Sequence, residues 1–201
     1  MTLPAEKLIT INDRGARTAT TFGSVEASDG SMVFIKKLTA SSSATLSFVD
    51  GASSVVLDNT YKEYVFTFNN IHPSASNSYF QFNMSTDGGS NYNVAKTTTY
   101  FKAQHQGSSG NYGQIDYITG FDLAQGTGFQ RLTEALEADV ASANMSGYLH
   151  LFNPSSDTFV KHFMYTNSEY GNDVFAVNSF VAGYGNTQSP VNSIQFKFDT
   201  G

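Results

Sequence analysis

The stretch NTYKEYVFTFNNIHP, Asn59 to Pro73, decides how the chain reads. Tyr64, Phe66 and Phe68 fall on one side of a two-residue alternation, with Val65 and Thr67 on the other. Side chains of a β-strand point alternately to opposite faces, so this spacing predicts a strand with three rings on one face. Phenylalanine gains most by burial, and the ladder therefore reads as the core face of a central strand. The alternative is a sugar-stacking platform, which draws on exposed Trp and Tyr rather than on Phe66 and Phe68.

The same period recurs outward from the ladder. MVFIKK (32–37), ATLSFV (44–49) and SVVL (54–57) precede it, and YFQFNMS (79–85), TTTYFKAQ (97–104) and IDYI (115–118) follow. GYLHLFNPSSDTFVKHFMYT (147–166) reads as a hairpin. A four-residue loop, Pro154 to Asp157, would pair Phe152 with Phe159 and Leu151 with Val160. VNSFVAGY (177–184) and SIQFKF (193–198) close the series, with Ile194, Phe196 and Phe198 on one face. NNIHPSASNS (69–78), DGGSNYN (87–93) and QGSSGNYGQ (106–114) supply loops and a hairpin turn. FQRLTEALEADV (129–140) stays open between a helix and a strand with a loop, because Leu132, Leu136 and Val140 recur every four residues. Roughly ten strands at this spacing predict an all-β fold, an antiparallel β-sandwich of jelly-roll-like form spanning residues 31–201. Residues 1–30 read as an extended N-terminal arm or linker, with LITI (8–11) a candidate short strand.

Composition narrows the function. A chain of 201 residues suits one domain with an arm. The formal net charge of −6 argues against nucleic-acid binding, which needs a basic face to displace phosphate counterions. There is no cysteine, hence no disulfide or thiol chemistry. The first residues lack the apolar core of a signal peptide, and no apolar run approaches the ~20 residues of a membrane helix. Synthesis in a cytoplasm without membrane insertion is the expectation.

No motif carries catalysis. His150 and His162 lie on the expected hairpin, and in the register above they point to opposite faces. Glu134, Glu137 and Asp139 cluster within one local segment, whereas a glycosidase needs two carboxyls converging across a cleft. DGGSN (87–91) lacks the alternating acids and closing Glu of a calcium loop and reads as a turn. GSSGNYG (107–113) lacks the strand-to-helix context of a phosphate loop. The expectation is a non-enzymatic protein with no catalytic, metal-binding or cofactor-binding residues. One combination does recur, tyrosine beside Asn, Gly and Ser in loops: SNYN, GNYGQ, SEYGND and GYGN. Binding loops on rigid scaffolds use this mixture, which makes Tyr92, Asn93, Asn111, Tyr112, Tyr170, Tyr184 and Asn186 the candidate contact residues.

TLSFVDG (45–51), VVLDNTYKEYVFTFNNIHP (55–73), DGGSNYN (87–93), GYLHLFNPSS (147–156), VKHF (160–163), SFVAGYGN (179–186) and SIQFKF (193–198) together resemble a group of virion structural proteins of marine tailed bacteriophages, including phages of cyanobacteria. The resemblance runs from about Met32 to the end and leaves residues 1–31 outside. It implies a virion-surface protein made in the host cytoplasm, a capsid decoration or head-fibre protein anchored by its N-terminal arm. A homo-oligomer, with a trimer favoured, and contact with the major capsid protein or another virion protein are the implied partners. The alternative is a receptor- or glycan-binding module of a tail fibre, gripping a host surface glycan through the tyrosine loops. Members of the group continue past the SIQFKF segment with a further glycine-rich strand, so a sandwich ending at Gly201 is expected to expose a sheet edge.

Overall fold

The computed structural model describes residues 32–107, 112–171 and 175–200. The chain divides into two units, Met1–Phe34 and Ile35–Gly201. The expected arm with its LITI strand lies outside the described residues, as does Asn111. The second unit contains two antiparallel sheets packed against each other, a β-sandwich. The smaller sheet runs in the order β1 (Leu46–Val49), β10 (Ser193–Phe198), β3 (Phe80–Ser85) and β6 (Gln130–Arg131). The larger runs β2 (Glu63–Ile71), β7 (Met145–Phe152), β8 (Lys161–Gly171), β9 (Phe175–Gly185), β4 (Lys96–Gln106) and β5 (Gly113–Tyr117). Among the described residues there is no α-helix, only a 3-10 turn at Thr119–Phe121.

The ladder is core. Tyr64 and Phe68 are buried, and half-buried Phe66 packs against the same cluster. Their partner across the sandwich is Phe196 of β10, whose ring centroid lies 4.9 Å from Phe68 and 5.5 Å from Phe66. Phe80 and Phe82 of β3 close around Phe196 at 6.0 and 6.2 Å. Edge-to-face and tilted rings at these spacings gain beyond simple area burial. The strand is an edge of the larger sheet rather than a central strand, and its pairing with β7 carries a bulge. Asn70 takes φ 53° there, between the paired residues Phe68 and Ile71, a left-handed conformation that asparagine tolerates.

Several local expectations are corrected. Residues 32–37 and 54–57 form no strand; Val55 and Leu57 are buried from a turn, held where Leu57 N–H donates to Asp50 Oδ1 at 2.9 Å. The 129–140 segment is not helical. Leu132 N–H donates to Phe80 O, and Ser78 and Leu136 exchange both backbone bonds, so the segment folds along the edge of β3. The four-residue spacing reflects two fully buried plugs, Leu132 and Leu136, rather than a helical face. The 87–93 turn has Gly88 and Gly89 at φ 72° and 83° as expected, but it is no hairpin, because β3 and β4 belong to different sheets. The β7–β8 connection is longer than four residues: Leu151 pairs with Phe163 and His150 with Met164. The loop stands up by its own bonds, with Ser156 Oγ accepting from Thr158 and Phe159 N–H and Pro154 O accepting from Val191 N–H. This register turns His150 and His162 to the same outer face. The final strand, β10, lies between β1 and β3 and is no sheet edge.

Candidate functional site

The two sheets treat their outer faces differently. The smaller sheet is covered by its own loops. Asn83 of β3, fully buried, donates from Nδ2 to Tyr92 O at 2.6 Å and Thr127 O at 2.9 Å, pulling the 87–93 turn and the 127–128 segment over the strand. Tyr92 Oη and Ser193 Oγ of β10 are 2.7 Å apart. Asp87 ties the turn internally: Oδ1 accepts from Ser85 and from Asn91 N–H, and Oδ2 from Asn91 Nδ2. Those bonds hold its carboxyl down at about 2.

Among the described residues nothing covers the larger sheet in this way over β7, β8, β9, β4 and β5. Burial alternates strictly along β8, with Phe163, Tyr165, Asn167 and Glu169 inward and Met164, Thr166, Ser168 and Tyr170 outward. Cross-strand register continues one outward row through Tyr148, Thr166, Phe180, Phe101 and Tyr117. Phe101 and Phe180 stack at 4.8 Å with planes 9° apart. Met164 is 58% exposed, Tyr117 56% and Ile115 77%. Apart from Tyr112 and Phe159, the exposed large apolar residues described in the Ile35–Gly201 unit all stand on this face. Among the described residues of these five strands, no outward position carries Asp, Glu, Lys or Arg. A solvated antiparallel face normally alternates to polar and charged residues, so a bare uncharged face of this extent marks a contact surface.

The charges lie beneath the sheet instead. Lys96 and Lys161 flank Gly185 in register and are fully buried. Lys96 donates to Asn83 Oδ1 and to Val94 O at 2.8 Å; burial lowers its pKa to about 7. Lys161 donates to Phe159 O at 2.6 Å and Thr187 O at 3.2 Å, its pKa also lowered by burial. Glu169 is 3% exposed. Its Oε1 accepts from Glu134 N–H at 3.0 Å and its Oε2 from Asn167 Nδ2 at 2.8 Å, while burial pushes its pKa up to about 8. Glu134 Oε2 pairs with Lys102 Nζ at 3.0 Å. Nothing in the residue pattern signals this meeting, because Glu169 stands in a tyrosine-bearing segment 35 residues from Glu134. A cleft of about 330 Å³ opens beside Glu134, lined also by Lys102, Gln104, Tyr112, Phe175 and Val177.

The expected contact residues do not gather. Tyr92 is part of the turn on the smaller sheet, with Asn93 exposed beside it. Tyr112 lies at the start of the β5 hairpin arm, edge-on to Phe175 at 6.1 Å, with its hydroxyl on Gln114. Tyr184 and Tyr170 share the outer face of the larger sheet but at opposite ends. Tyr184 pairs with His162, eight positions before Tyr170 on β8, or roughly 27 Å along the strand. Exposed Asn186 follows β9 and donates its N–H to Ala95 O at 2.7 Å. Among the described residues no group of His, Cys, Asp and Glu is placed to hold a metal ion. Among the described residues no helix is long and apolar enough to cross a membrane. No family model, curated protein or solved structure matches the chain.

Proposed function

We propose that the chain is a non-enzymatic structural protein of a phage particle surface, a capsid decoration or head-fibre protein that works by rigid contact. The observation that carries this reading is the uncharged, ring-bearing outer face of the larger sheet, spread over five strands on a scaffold whose other face is partly covered by its own loops. Broad contact of this kind suits assembly, in which many modest interactions add up. The order of short motifs from Met32 onward, similar to virion proteins of marine tailed phages, supports the placement on a particle. The test is mass spectrometry and immunogold labelling of purified virions of a phage encoding the chain. The expected result is a many-copy protein labelled over the head. Virions that lack the chain would overturn the reading.

A second reading, recognition of a host glycan by a tail-fibre module, has one observation in its favour. The 330 Å³ cleft combines Lys102, Gln104 and Glu134 with the rings of Tyr112 and Phe175, a polar and aromatic mixture that suits a sugar. Tyr112→Ala should then reduce adsorption to host cells with no change in thermal stability. Unchanged adsorption would dismiss it.

A further inference from the structure

The bare face has a shape and a chemistry that fit one occupant. Its strands β7, β8, β9, β4 and β5 span roughly 24 Å across and about 30 Å along, at about 4.8 Å between strands and 3.4 Å per residue. That is on the order of 700 Å² per copy, close to the ~800 Å² per partner of a standard stable interface. The face holds no formal charge to attract a charged partner, while the whole chain carries −6. Some of its polar groups already have partners. Asn178 Nδ2 donates to Thr166 Oγ1 at 3.1 Å and to Asn167 O, and His150 bonds Glu63 of β2. A face without formal charge is best covered by an equally uncharged surface.

We infer that two copies of the chain pack outer face to outer face, about a two-fold axis lying in the interface, parallel to the strands and between β8 and β9. Such an axis sets every outward residue of β8 over the β9 residue with which it pairs inside its own sheet. The outward pairs are Met164 with Ala182, Thr166 with Phe180 and Tyr170 with Ala176, each joining a large side chain to a small one, and His162 with Tyr184 at one end, which joins two large rings. Large therefore meets small at three of these four positions, which favours close packing of two sheets. One strand further out, β7 lies over β4, which brings Tyr148 against Phe101 of the second copy. A shallow depression of about 210 Å³ over Ala103, Ser168 and Ala176 is where the second copy's Tyr170 ring enters. The contact is isologous and closes at two copies. It goes beyond the virion reading and does not require it.

The experiment is sedimentation equilibrium on the full chain, wild type beside Met164→Glu and Ala182→Met. Wild type should sediment at twice 21.8 kDa. Met164→Glu should weaken association at least about a hundredfold, because each two-fold seam buries two unpaired carboxylates. Both variants should keep the wild-type circular dichroism, since both positions face outward. Ala182→Met separates this seam from general stickiness. An added apolar side chain strengthens an unspecific patch, but over Met164 it removes the small partner and should weaken the dimer about tenfold or more. In a chain without native cysteine, Ser168→Cys should be trapped as a dimer by a short bis-maleimide, whereas Ser47→Cys on the smaller sheet should not. A monomeric wild type, a trimer, or a dimer strengthened by Ala182→Met would each overturn the inference. A monomer found on virions would leave the structural reading standing, and a dimer missing from virions would do the reverse.

Discussion

Replacing Glu169 by glutamine tests how the interior carries its charge. Glu169 sits beneath β8, 3% exposed, with both oxygens accepting hydrogen bonds. Burial is the largest cause of its rise from 4.5 to about 8, opposed by the bonds from Asn167 and Glu134 N–H. Between these two values the folded chain holds one proton that the unfolded chain has released. Stability from this group is therefore fully present below about pH 4.5 and is lost as pH rises through about 8. At about 1.4 kcal/mol per pH unit, the gap corresponds to a ceiling of roughly 5 kcal/mol. Glu169→Gln cannot titrate. Its amide nitrogen meets one of two N–H donors, which removes one hydrogen bond and sets the variant about 1 kcal/mol below the fully protonated wild type, a level that does not change with the titration of residue 169. The assay is urea unfolding followed by far-ultraviolet circular dichroism at one protein concentration, at about pH 4, 7 and 8.5. The wild type should lead at the lowest pH and the variant at the highest, so the two profiles cross. Profiles that stay parallel across this range would refute the assignment of a buried, proton-bearing Glu169.

Lys96 should show the opposite slope. Its value falls from 10.5 to about 7, so wild-type stability relative to Lys96→Met should rise as pH climbs from about 7 towards 10; the same unfolding series, extended upward, checks it. Phe82→Ala removes a fully buried ring packed 4.9 Å from Phe163 and should cost about 3–5 kcal/mol in urea unfolding. Gly147→Ala should be as damaging for a different reason. A Cβ there would lie 2.4 Å from Thr166 O, and the β7–β8 pairing would have to open, visible as faster amide exchange along both strands. Asp87→Ala should leave the sandwich folded while speeding amide exchange at Gly89 and Asn91, because Asp87 and its bonded partner Ser85 hold those N–H groups.

The all-β sandwich was legible because burial on one face writes a period of two into the sequence. Tyr64–Phe68 and Ile194–Phe198 display it, and their rings do meet across the sandwich. The β7–β8 register was not legible. Along KHFMYTNSEY both strand faces mix apolar and polar residues, because the inner face carries Lys161, Asn167 and Glu169 while the outer carries Met164 and Tyr170. An alternation that fails to separate dry from wet cannot set register, and the loop length decided it instead. The helix-like spacing of Leu132 and Leu136 misled for a related reason, since two plugs dropped into a core from an irregular edge can match any period. The contact residues were sought in loops, where tyrosine beside glycine and asparagine draws notice. The bare surface lies on the strands, and its defining property is a lack of charge. That property appears only once the register assigns each residue to a face.

The same inversion links the interior to the outer face. Burying Lys96, Lys161 and Glu169 beneath the sheet is tolerable because each finds hydrogen-bond partners, and because the two strongest shifts favour the neutral form near pH 7 to 8. With those residues turned inward, the alternation of β4 and β8 leaves Thr, Ala, Met, Phe and Tyr to face outward. A sheet destined for solvent would gain solubility from the reverse arrangement and would avoid the desolvation of two lysines and a glutamate. Stability alone does not account for the pattern. An outer face that must be free of charge does, because any outward Lys or Glu along β8 or β9 would be trapped without a partner between two packed sheets. The buried ionisable groups and the uncharged face are thus two consequences of one requirement, and substitutions that exchange them, Met164→Glu outside and Glu169→Gln inside, should act on association and on stability respectively.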